Sequence, residues 1–447
     1  MRGQIHPRQG GSFGSPFALA AAATMAAVLA GCGSNSAPAP GRAPSPVAAV
    51  AGATTPATAT EQLIATTQAH LRVAPDDVQS IDTLAAAYLQ RVREVGDPSY
   101  YDKADSLLRS ALALSPKDAE ATLLSGTLAL ARHHFLDGLS WGQRAAALDP
   151  SGAEPLGVIT DAEVELGRYD AAVASVQRMV DLRPDLASYS RVSYLRELHG
   201  DVDGAIAAMQ LAVTAGGPVP ENVAYVQVLL GNLYFNRGDL AGAEAQYQAA
   251  LRADPGYVNA VAALARLRAA QRRWTESVAL YRQAILVYPL PQYVIGLGDA
   301  LSASGDATGA AQQYDLAVAE QRLQEASGVD VDQELALFEA DHRRDLTGAL
   351  AAAKRAVRDR PSVQSADALA WTLFQSGDAR DALPVSQQAH RLGTRDALMF
   401  FHSGMIEAAL GMTTQARSDL STALAINPDF SVLQSGVARA ALEALPR

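Results

Sequence analysis

One cysteine in 447 residues, Cys32, rules out an internal disulfide and any cysteine-built zinc cluster. Basic residues are also short: 36 Lys and Arg stand against 47 Asp and Glu, giving a net charge of −11. Phosphate binding needs clustered Lys and Arg, so nucleic acid is not an expected partner. Aromatics make up 6% of the chain while hydrophobic residues reach 49%, a balance that suits closely packed helices. After residue 30 no apolar run is long enough to span a bilayer. Catalytic arrangements are missing too. Gly296-Leu297-Gly298 lacks the strand that a phosphate-cradling loop follows, and no serine sits in a Gly-x-Ser-x-Gly elbow. His133-His134 has no spaced third ligand, and the acids beside His342 belong to a helix end. The chain is expected to be no enzyme and to hold no metal or cofactor.

What is present begins with a basic start carrying Arg2 and Arg8, followed by the apolar stretch Phe17 to Ala30. That stretch has the length of a signal-peptide core and is short for a membrane span. It runs into Leu29-Ala30-Gly31-Cys32, which resembles the lipobox of bacterial lipoproteins. The resemblance implies cleavage after residue 31, lipid attachment at Cys32, and a mature net charge of −13 once Arg2 and Arg8 are gone. Residues 32–60 are rich in Pro, Ala, Ser and Thr and nearly uncharged. They cannot bury enough apolar surface to order themselves, and read as a tether reaching on the order of 30 Å.

Helical periodicity runs from residue 61 to 445, and its period shows best from Ala224 to Tyr257. These 34 residues read as two amphipathic helices, with Leu230, Gly231 and Tyr234 facing Ala243, Tyr247 and Ala250. Gly238 supplies the turn, and Pro255 ends the unit because proline cannot continue a helix. The pattern resembles the tetratricopeptide repeat at every signature position except the first aromatic, where Gln227 stands. Pro116, Pro150 and Pro184 mark the same step, as do Pro255 and Pro289. About ten units follow, bounded roughly at 76–118, 119–152, 153–186, 187–219, 224–257, 258–290, 291–324, 330–362, 363–396 and 397–430. The period breaks at Ala215 to Pro220 and at Ala326 to Val331, and Ser431 to Leu445 forms a final capping helix. The fold class expected is all-α: a right-handed superhelical solenoid of helix-turn-helix repeats, stabilised between neighbouring units.

The resemblance places the first helix of each unit on a concave surface where such proteins bind peptides or partner helices. The ninth residue of each unit should point into it: Thr127, Asp161, Tyr194, Asn232, Arg266, Asp299, Phe338, Trp371 and Met405. The series turns apolar in the last three units, where Phe374 and Phe401 face the same side. Arg266, Asp299, Phe338, Trp371, Phe374, Phe401 and Met405 are therefore the candidate partner-binding residues, with the aromatics forming a patch partly open to the groove. The carboxylate clamp of chaperone-binding repeats is not carried over: Asn232 is present, but Val228 replaces its lysine and Ala263 the next asparagine. Glu163 and Glu407 stand where a tyrosine usually fills the inner face. The chain is expected to act as a lipid-anchored scaffold of the bacterial cell envelope that binds protein or peptide partners in its groove. The alternative is an accessory or regulatory subunit of an envelope-assembly, secretion or cell-wall enzyme complex.

Overall fold

The computed structural model describes residues 58–217 and 219–446. Cys32, the signal segment and the tether lie outside the described residues, apart from the tether's last three positions. Helix α1 (Ala59–Leu71) precedes ten helical hairpins. These are α2 (Val78–Val95) with α3 (Ser99–Leu114), α4 (Ala119–Ala131) with α5 (Phe135–Leu148), and α6 (Glu154–Glu165) with α7 (Tyr169–Leu182). Next come α8 (Leu186–Leu198) with α9 (Val202–Ala215), α10 (Pro220–Asn236) with α11 (Leu240–Ala253), and α12 (Val258–Ala270) with α13 (Trp274–Val287). The last four are α14 (Pro291–Ala303) with α15 (Ala307–Ala326), α16 (Asp332–Asp341) with α17 (Leu346–Asp359), α18 (Val363–Gln375) with α19 (Ala379–Ala389), and α20 (Ala397–Ala409) with α21 (Thr413–Ile426). Helix α22 (Gln434–Ala444) follows them, and the described residues contain no strand.

Turn chemistry explains where each hairpin bends. Gly200 and Gly238 adopt φ of 89° and 84°, a left-handed conformation that costs glycine nothing. The aspartate that follows caps the second helix: Asp201 accepts from the Gly204 amide at 2.7 Å and Asp239 from the Gly242 amide at 2.8 Å. Three hairpins have no glycine at this place, and there His133, Arg272 and Arg343 take φ of 60°, 58° and 50°. Within a hairpin, a small residue on one helix receives a ring from the other. A Cβ on Gly231 would fall inside the Tyr247 ring, which is fully buried and fixed by its hydroxyl donating to Asn232 at 2.8 Å. Gly231→Ala is therefore expected to cost roughly 1–3 kcal/mol as overpacking, read as a lowered urea midpoint; an unchanged midpoint would show that the ring has room to move.

Burial separates two layers. Ten of the twelve residues of α6 are buried against four of fourteen in α7, and eight of thirteen in α12 against three of fourteen in α13. First helices also touch first helices of the next unit, whereas no pair of second helices packs comparably. The first helices thus form the inner layer of a superhelix, and helices buried on nearly every face need the apolar all-round composition they have. The backbones of successive inner helices come less close at two places, between α8 and α10 and between α14 and α16, where side chains alone bridge the gap. These are the two breaks in the 34-residue period.

The superhelix winds so tightly that its second turn rests on its first. Tyr288 donates to the Arg93 carbonyl at 3.3 Å, and the Asp330 amide donates to the Arg132 carbonyl at 3.0 Å. The Tyr169 hydroxyl accepts from the Val363 amide at 2.8 Å, Thr394 donates to the Leu198 carbonyl at 2.6 Å, and Asn427 to the Phe235 carbonyl at 2.8 Å. The side-chain bonds in this set join residues 192 to 196 apart, a little under six repeats. An apolar cluster of Tyr169, Leu195, Leu198, Val363 and Met399 backs the seam. At its centre Arg360, 4% exposed, reaches Glu334 at 2.9 Å and Glu165 at 3.5 Å and lies over the Phe135 ring. Burial alone would push Glu334 up, but Arg360 and His133 hold its carboxyl below the usual range. Glu165, farther from the guanidinium, is pushed up by burial. Stabilisation only between neighbouring units is thereby corrected, because five successive hairpin turns of the first half are held by connections of the second.

Candidate functional site

The inner surface carries the side chains that could meet a partner, and the structure places each expected residue on it already engaged. Asp161 receives both arms of the Arg191 guanidinium at 2.8 and 2.7 Å; burial pushes its carboxyl up, with Arg191 opposing. Tyr194 accepts from Gln364 at 3.3 Å, across the seam. Asn232 is held by Tyr247, and Arg266 lies 4.0 Å above the Phe235 ring and donates to Asn236 at 3.4 Å. Asp299 accepts from Tyr314 at 3.0 Å and pairs with His342 at 2.9 Å. Thr127 is buried.

In the last units the apolar patch expected to be partly open to the groove is for the larger part buried. Phe338, Trp371 and Phe401 are 3%, 3% and 1% exposed, while Phe374 and Met405 are half-buried. Trp371, Phe374, Phe401 and Met405 are brought together in one cluster, with the Trp371 ring 5.3 Å from Phe374 and 5.4 Å from Phe401. Phe338 is not part of it, and packs instead with Val294 and Ala317 across the α14–α16 break. Arg266 and Asp299 lie on separate inner helices, and Asp299 meets the Phe338 group through Tyr314 and His342.

Beneath the aromatic cluster runs a polar layer that the repeat pattern did not disclose. His402, fully buried, stacks on Trp371 at 4.1 Å and pairs with Asp367 at 2.9 Å. Burial lowers the imidazole's proton affinity, but Asp367, Asp341 and Asp396 outweigh it and hold His402 above its ordinary value. Asp341 accepts from the Trp371 indole at 2.8 Å and from Gln434 at 2.6 Å. The sequence signal for this layer was Glu339-Ala340-Asp341-His342, two acids and one histidine that carry no period of their own. Glu163 is satisfied by Ser175 at 2.7 Å, whereas one oxygen of Glu407 has no partner and burial pushes its carboxyl up to about 7. Among the described residues no three His, Cys, Asp or Glu side chains are grouped to hold a metal ion, and no helix is long and apolar enough to cross a membrane.

Comparison with known proteins supports the repeat assignment. The family model described as tetratricopeptide repeat matches residues 160–220, 222–258 and 262–328. No curated protein matches the sequence. Among solved structures, a thermophilic TPR protein of Thermus thermophilus is similar over 35% of this chain and 84% of its own, at 24% identity and a TM-score of 0.33. The Cut9–Hcn1 hetero-tetramer of the APC/C is similar over 86% of this chain and 97% of its own, at 13% identity and a TM-score of 0.32. The matched segments carry tetratricopeptide repeats, and the fold is an all-α superhelix of such hairpins.

Proposed function

We propose that this chain is a non-catalytic scaffold, anchored by lipid at Cys32 to a membrane of the bacterial envelope, that binds a protein or peptide partner on its inner surface. Tetratricopeptide repeats generally mediate protein–protein binding, and the matched segments cover the middle of the array. The observation that carries the reading is the aromatic cluster of Trp371, Phe374, Phe401 and Met405 on inner helices, since interface energy concentrates in aromatic anchors. Anchor and tether rest on Leu29-Ala30-Gly31-Cys32 and the uncharged stretch after it.

Two variants test the two halves. Cys32→Ala should leave an unprocessed precursor and abolish labelling with a palmitate analogue, and equal labelling would remove the anchor. Phe374→Ala with Met405→Ala changes the half-buried members of the cluster, and should weaken retention of the partner in a pull-down from detergent-solubilised membranes. Asn232→Ala should not. Equal retention by both would place binding elsewhere on the molecule.

A further inference from the structure

The aromatic cluster is not empty. Beyond Pro428 the chain folds back over it, and Phe430, 5% exposed, sets its ring 5.6 Å from Phe401. Four residues on, Gln434 reaches past α18 and α20 to donate to Asp341 at 2.6 Å, on the carboxylate oxygen that also receives the Trp371 indole. Four further on, Ala438 is fully buried in the same cluster. Ala441, Leu442 and Leu445 complete one face of α22, while Gly436, Val437 and Ala440 on the other face are exposed. A helix that merely sealed the last hairpin would need contact with α20 and α21 only. This one also bonds a half-buried carboxylate on α16, three inner helices away.

We propose that residues 429–445 are an internal ligand of the inner surface, occupying the seat of a partner helix and displaced when that helix arrives. The partner's chemistry follows from the occupant. It is an amphipathic helix preceded by an aromatic residue, with a side-chain amide four positions later for Asp341 and a small residue four beyond that. Helix-in-groove recognition reads such spaced anchors, and an amide suits Asp341 because it donates a second hydrogen bond to the carboxylate, where another carboxylate would be repelled. The displaced segment is otherwise tied down through its backbone, by Arg417 donating to the Leu445 and Pro446 carbonyls. This inference rests on the inner surface being the binding face.

The test uses the full-length protein carrying Phe430→Ala and Gln434→Glu, and as probe a synthetic peptide of residues 429–445. Opening the seat should increase acrylamide quenching of Trp371, scored against Trp371→Phe, while amides of α16 to α21 keep their exchange protection. The peptide should bind the double variant at least tenfold more tightly than the wild type and restore the quenching. Gln434→Ala alone, a milder change, should give an intermediate gain. Equal peptide binding by wild type and double variant would overturn the proposal. So would loss of protection throughout α18 to α21 in Gln434→Ala, which marks a structural cap. If the peptide binds the opened variant but neither form retains a membrane protein, the internal ligand stands and the scaffold reading falls. If the wild type retains a partner and the peptide ignores the opened variant, the reverse holds.

Discussion

Arg360→Ala is expected to destabilise the protein by about 3–5 kcal/mol, the cost of leaving buried carboxylates without their cation. Arg360 lies within ion-pair reach of both Glu165 and Glu334, and removing it also uncovers the Phe135 ring and loosens Gln333, 3.1 Å from its Nε. Damage should appear on both turns. Amides at 165–169 should exchange faster together with those at 360–363, although about two hundred residues separate them. In a solenoid coupled only through neighbours, the loss would be confined to the units around Arg360. Denaturant melting with hydrogen exchange on the same variant distinguishes the two, and unchanged exchange at 165–169 would mean the seam contributes nothing. Arg360→Lys keeps the charge but not the fork of donors, and should recover part of the loss.

Stability is expected to fall as pH rises from about 4 to about 8. Burial pushes the carboxyl of Glu197 up to about 8, with Asp396 adding to it across the seam at the Leu198–Thr394 contact, and that of Asp396 up to about 7, with Asp367 adding to it. Burial likewise raises Asp82 to about 7, with Asp118 and Glu120 adding to it. A carboxyl that holds its proton more tightly folded than unfolded favours the folded state while protonated, and that advantage disappears as pH climbs through its folded value. His402, held above its ordinary value, acts in the same direction: its contribution is complete below about 6.5 and is lost above. Between pH 5.5 and 8.5, Glu197 should withdraw ~3 kcal/mol and Asp396 ~2 kcal/mol. Urea midpoints across that range check this, and Glu197→Gln should flatten the slope. Asp396→Asn keeps the acceptor that caps α20 and should flatten it further. Midpoints that rise with pH would contradict the assignment.

Much of the architecture was written in the repeat. The 34-residue step, the glycine turns and the small-residue and aromatic pairs are local, so the ten hairpins and the two breaks are legible in the sequence alone. The seam was not local. It joins hairpin turns to connections almost six units away, and its trace in the sequence is faint: residues before the repeat prolines are Ser115, Asp149, Arg183 and Asp254 in the first turn, but Tyr288, Arg360 and Asn427 in the second. The first set is exposed or half-buried and the second buried. The groove series was legible as a face and misleading as a surface. Asp161, Tyr194, Asn232, Arg266 and Asp299 sit on inner helices, yet each has an internal partner, in its own or the adjacent hairpin except for Tyr194, which meets Gln364 across the seam, and no repeat consensus encodes that curvature. For the same reason Ser431 to Leu445 read as a cap, because Gln434 meets Asp341 only once three inner helices are drawn close.

The claim that organises the account is that the second turn of the superhelix rests on the first. The most direct measurement is the distance between spin labels at Arg168→Cys and Pro361→Cys, in a Cys32→Ser background. Both sites are exposed, and the space a Cβ on neighbouring Gly167 would take lies 2.6 Å from the Pro361 carbonyl. The account predicts one short, narrow distance in the wild-type seam, broadening and lengthening when Arg360→Ala is added. A long, broad distribution in the protein with Arg360 intact would show an open solenoid whose turns never meet.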